Sequence, residues 1–68
     1  MDIREQFGNR LTELRKERKM TQDKLAELSG LTRVYISGIE QGKRNVSLEV
    51  IDKLAEALEI KITQFFEE

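Results

Sequence analysis

Apolar residues recur at helical spacing from the start of the chain. Ile3, Phe7, Leu11 and Leu14 follow one another at intervals of four, four and three, laying one stripe along a first helix. Arg10, Arg15, Lys16, Arg18 and Lys19 occupy much of the remaining surface, mostly as a solvated face. Several of these cations fall in the last turn, where they suit the helix dipole. One start signal then appears three times: Met20-Thr21 with Leu25, Leu31-Thr32 with Ile36, and Val46-Ser47 with Ile51. In each, the hydroxyl can accept a hydrogen bond from an orphan backbone N–H. The flanking apolar pair can close over the helix start as a staple. Helices are therefore expected after Thr21, Thr32 and Ser47. Gly30 and Gly42 follow the second and third, and both suit the left-handed backbone that ends a helix.

The second and third helices are thus short, about eight to ten residues, with only Ser29-Gly30-Leu31-Thr32 between them. So tight a link suits a steep crossing rather than an antiparallel return. The fourth helix, SLEVIDKLAEAL, turns Leu48, Ile51, Leu54, Ala55 and Leu58 to the core, and a short final helix is expected from Thr63. Pro is absent and good helix formers dominate. The fold class expected is all-α, a compact four- to five-helix bundle forming one domain over residues 1–68.

Composition narrows the function. A chain of about 60 residues buries only about 60% of its unfolded surface and is marginally stable unaided. With no Cys and no His among 68 residues, disulfides and the usual metal ligands are excluded as supports. Oligomerisation remains. Catalysis would fall to carboxylates, Lys, Tyr, Ser or Thr, but the carboxylates alternate with Lys and Arg as a solvated helical face does. There is no Gly-rich phosphate loop, so neither enzyme, cofactor nor small-molecule substrate is expected. No apolar run approaches the ~20 residues of a membrane span, and MDIREQFGNR has no signal-peptide core. A cytoplasmic, non-membrane protein is expected.

The chemistry concentrates in QDKLAELSGLTRVYISGIEQ, Gln22 to Gln41. Leu25, Leu28, Leu31, Ile36 and Ile39 offer the apolar contacts between two crossed helices, and Ala26 is small where they approach. These residues, with Gln22 opening the helix and Gly30 making the turn, resemble the helix-turn-helix domains of phage Cro and lambda-type repressors. The resemblance spans about Leu11 to Phe66. TRVYISGIEQGKRNVSLEVI is more narrowly similar to the controller proteins of restriction–modification systems, small dimers that switch transcription of their own operons.

That resemblance implies a homodimer on a palindromic DNA operator, with the second helix of the pair in the major groove. Arg33 can donate bidentately to guanine, and Val34 can meet a thymine methyl. Tyr35 and Ser37 are further candidates for base contact, although Tyr35 could equally cover the core edge. Gln22, Gln41, Lys43, Arg44 and Asn45 are the candidates for DNA backbone or minor groove. Gly38 departs from relatives that carry a base-reading residue there. In a helix interior it costs roughly 1 kcal/mol relative to Ala, and it would let DNA approach the backbone closely.

Charge is unevenly spread. Residues 10–44 carry +4, residues 45–68 carry −4 and residues 1–9 carry −1, so the overall −1 hides a basic DNA-facing portion. Segment 59–68 is expected to contribute to dimerisation through Ile60, Ile62, Phe65 and Phe66, the alternative being one Phe in the core and one exposed. RNA polymerase would be a further partner if the protein activates, through acidic residues such as Glu27 or Glu40. Rival readings are a phage-type repressor, an antitoxin-like regulator (although no toxin-binding extension is evident), and a protein-interaction module that has lost DNA binding.

Overall fold

The computed structural model describes residues 2–67. Four α-helices follow in order: α1, Ile3–Glu17; α2, Gln22–Ser29; α3, Arg33–Glu40; and α4, Leu48–Leu58. A 3-10 helix, Ile62–Phe66, closes the chain, and no strand occurs among the described residues. The three start signals work as the chemistry requires. Thr21, Thr32 and Ser47 accept from the backbone N–H of Lys24, Tyr35 and Val50 at 3.0, 3.1 and 3.2 Å. Met20, Leu31 and Val46, which precede these caps, pack against the core. Gly30 and Gly42 take φ of +76° and +75°. Glu59, just past α4, adopts the same left-handed form at φ +57° without the licence of a glycine.

The core is a single cluster. Phe7, Leu11 and Leu14 of α1 meet Leu25 of α2, Ile36 and Ile39 of α3, Ile51, Leu54, Ala55 and Leu58 of α4, and Phe65. Three expected core positions lie outside it: Ile3 is 60% exposed, Leu28 48% and Leu48 82%. Ile3 and Leu48 open their helices, where the stripe continues past the last residues available to cover it.

The C-terminus also departs from expectation. The last helix begins at Ile62 rather than at Thr63, with the Lys61 backbone N–H donating to Gln64 Oε1 at 3.1 Å. Phe65 is not available as a dimer contact. It is 1% exposed and packs on Phe7 with ring centroids 4.8 Å apart, a core residue of its own chain. Phe66 stays half exposed, its centroid 5.9 Å from the same Phe7 ring. Arg10 ties this segment to α1 by donating to the Gln64 carbonyl at 2.7 Å.

α1 crosses α3 over a glycine. At Gly8 a Cβ would collide with the Ile39 carbonyl oxygen and lie 2.9 Å from that of Glu40. Only hydrogen fits there.

Candidate nucleic-acid interface

α3 divides cleanly between two roles. Ile36 and Ile39 are buried, and the apolar contact they make fixes the helix against α1 and α2. The residues at the complementary angles, Arg33, Val34, Ser37, Gly38 and Gln41, line one open hollow together with Lys43 and Arg44 from the loop that follows. Val34 is 71% exposed, an apolar side chain held in solvent on the surface that also carries Arg33, Lys43 and Arg44. An exposed valine among basic side chains suits a groove that offers both methyl groups and acceptors.

Each end of this surface is set by local chemistry. At the start, Arg33 occupies the first helical position, against the dipole. Asp23 of α2 offsets the misplaced charge, with Oδ1 3.3 Å from Arg33 Nε. Both side chains are mostly exposed, so the pair contributes little and leaves the guanidinium able to move. At the end, the Gly42 N–H donates to the Ile39 carbonyl at 3.0 Å and the Lys43 N–H to the Gly38 carbonyl at 2.9 Å. This pairing, with Gly42 in the left-handed form, satisfies carbonyls the helix leaves orphaned and folds the loop back across its last turn.

The remaining candidates are spread around this face. Gln41 donates from Nε2 to Ser37 Oγ at 2.9 Å, so two of them are already linked. Tyr35 is half-buried against the core edge and carries the Arg44 guanidinium 5.7 Å above its ring centroid, within cation–π range. Asn45 does not line the α3 hollow; it borders a separate, apolar hollow with Ile3, Phe7, Val46 and Phe66. Gln22 is half-buried at the start of α2 and donates from Nε2 to Glu40 Oε1 at 3.0 Å.

Glu40 belongs to the scaffold beneath the site rather than to a surface a polymerase could touch. Its side chain is 7% exposed, and Arg15, 11% exposed, forks onto it with Nε–Oε2 at 2.7 Å and Nη2–Oε1 at 3.0 Å. Arg15 also donates from Nη1 to the Met20 carbonyl at 2.7 Å, so it is not part of a solvated face. Burial pushes the Glu40 carboxyl up, but hydrogen bonds from Arg15 and Gln22 and the guanidinium charge outweigh it, leaving it below its ordinary value. The same bond to Glu40 raises Arg15. One carboxylate thereby joins α1, α2 and α3, holding α3 from behind. The sequence carries a signal for it: Glu40 follows Ile36 by four and adjoins Ile39, so a charge faces inward and needs a partner.

Gly38 is not an open gap in the helix surface. A Cβ there would sit 3.1 Å from Arg44 Cγ and 3.2 Å from Arg44 Nε, because the arginine side chain runs across the position. Among the described residues no cluster of acidic groups could hold a metal ion, and no helix is long and apolar enough to cross a membrane.

The family model described as "Helix-turn-helix" matches residues 11–65. Control protein C.MunI of a Mycoplasma species is 44% identical over 66 residues, covering 96% of this chain and 89% of that protein. The transcriptional repressor RghR of Bacillus subtilis is 53% identical over 57 residues, but this chain spans only 42% of its length. The crystal structure of the restriction–modification controller protein C.AhdI from Aeromonas hydrophila superposes with a TM-score of 0.94 at 48% identity, covering 97% of this chain and all of that one.

Proposed function

The chain belongs to the helix-turn-helix family, and on that basis we propose that it is a sequence-specific transcriptional regulator of the restriction–modification controller type. It would act in the cytoplasm as a homodimer on a two-fold symmetric operator. The observation that carries the reading is the gathering of Arg33, Val34, Ser37, Gln41, Lys43 and Arg44 on one exposed surface of α3 and its loop. The similarity to control proteins along nearly their whole length favours the controller role over that of larger repressors.

The mechanism follows from the placement. α3 enters the major groove with its N-terminal end foremost. Arg33 leaves Asp23 and donates both nitrogens to guanine O6 and N7, while Val34 packs on a thymine methyl and Ser37 meets a neighbouring base edge. Releasing an exposed pair costs at most about 1 kcal/mol, less than the ~1–3 kcal/mol a bidentate guanine contact contributes. Tyr35, half-buried at the core edge beside Arg44, serves bases or phosphate. Gln22, Gln41, Lys43, Arg44 and Asn45 hold the backbone or reach the minor groove and thereby set the register. The +4 of residues 10–44 supplies the local field that phosphate binding needs.

Dimerisation is assigned to Ile60, Ile62 and Phe66. Ile62 is 43% exposed and Phe66 50%, with Ile60 half-buried beside them. In such a dimer the two α3 helices would stand about 34–36 Å apart, one turn of DNA. The role of Phe65 is to support the patch from beneath.

The test is selection of bound duplexes from a randomised pool near physiological salt, with Arg33→Ala run in parallel. A two-fold motif in which the variant loses preference at one base pair per half-site, by ~1–3 kcal/mol, is the expected result. No enrichment from a folded dimer would replace this reading with that of a protein-interaction module.

A further inference from the structure

Gly38 poses a question that DNA binding alone does not answer. A glycine in the middle of a short exposed helix weakens it, and neither its φ nor a backbone neighbour demands one here. What lies against the vacant Cβ position is another side chain of the same surface. Arg44 Cγ, Nε and Cδ would lie 3.1, 3.2 and 3.7 Å from a methyl at that site. The turn built on Gly42 brings the loop back over α3, and Lys43 fastens it there through the Gly38 carbonyl itself. The Arg44 head group then comes to rest over the Tyr35 ring. The arginine is thus held at both ends, its stem in the Gly38 notch and its guanidinium on an aromatic face.

We infer that Gly38 is a positioning residue for DNA recognition: its missing side chain is the notch that seats Arg44 across α3. A loop arginine is thereby presented as a fixed part of the recognition surface instead of a mobile charge beside it. The inference rests on the DNA-binding reading above. Its physical basis is that immobilising a rotamer-rich side chain opposes binding, and a side chain already seated avoids much of that cost. A methyl group at position 38 would force the arginine stem to give way by a few tenths of an ångström, shifting its seat while leaving the buried face of α3 untouched.

The experiment is a double-mutant cycle with Gly38→Ala and Arg44→Ala, read by fluorescence anisotropy on the duplex that the wild-type protein selects, with thermal melts of all four proteins. Gly38→Ala is expected to melt at or above the wild-type temperature and yet to bind roughly three- to tenfold more weakly. In the Arg44→Ala background the same substitution should change affinity by less than about twofold, because there is no arginine left to displace. An equal loss in both backgrounds would overturn the inference and make close approach of DNA to the helix backbone the reason for the glycine. Undiminished affinity of Gly38→Ala would overturn it as well. A melt well below wild type would show that the glycine serves folding, and a wild-type protein that selects no duplex would remove the DNA-binding reading and this inference together.

Discussion

The seam between α1 and α3 turns on one hydrogen atom, and Gly8→Ala tests it. The added methyl would meet the carbonyl oxygens of Ile39 and Glu40, the second at 2.9 Å where ordinary contact is 3.4–4 Å. Both obstacles are backbone, so no rotamer change relieves them. The helices must part by roughly 1 Å, and a gap of that size forfeits a quarter to a half of each dispersion contact along the seam. Overpacking of this kind costs ~1–3 kcal/mol, and the absence of any flexible neighbour puts this case at the upper end. Against it stands a gain of about 1 kcal/mol from replacing glycine inside a helix. The net expectation is a loss of about 2 kcal/mol. At 4–8 °C per kcal/mol for a domain of this size, the melting temperature should fall by about 8–16 °C. Thermal unfolding followed by far-ultraviolet circular dichroism, at one fixed protein concentration, measures it. A variant that melts within about 2 °C of wild type, or above it, would mean that propensity outweighs the clash and that α1 and α3 are not in backbone contact.

Two further outcomes follow from other parts of the structure. The Glu40 carboxyl is held below its ordinary value of 4.5, so its contribution is fully present above that pH and is lost as pH falls through the lower folded value. Glu40→Gln should therefore cost about 3 kcal/mol at neutral pH and flatten the decline in melting temperature below pH 4.5; a decline parallel to wild type would refute the assignment. Phe66→Glu should give a monomer by multi-angle light scattering with its helical spectrum intact, and a persisting dimer would move the interface elsewhere.

How far the sequence could be read depended on range. The caps at Thr21, Thr32 and Ser47 and the stops at Gly30 and Gly42 act through bonds to residues at most five positions away, so a short window contains both partners. The outward face of α3 follows once its buried face is known, and Arg33, Val34, Ser37 and Gln41 lie together on it. Gly8 against Ile39, and Arg15 against Glu40, depend on the mutual placement of two helices, which no local pattern encodes. Phe65 departs from expectation for a related reason. Adjacent residues of a 3-10 helix diverge more widely than those of an α-helix. Which ring turns inward is then settled by Phe7, 58 positions back along the chain.

That same Phe7 touches both rings, the one sealed in the core and the one proposed to meet a second subunit. Folding and association consequently draw on one shared contact, and mass action links them. In the proposed dimer, dilution would loosen the last turn of the chain as well as separate the subunits, so the melting temperature of the whole domain would rise with its own concentration. An operator that captures only the dimer would then hold Phe65 more firmly in the core through the same linkage.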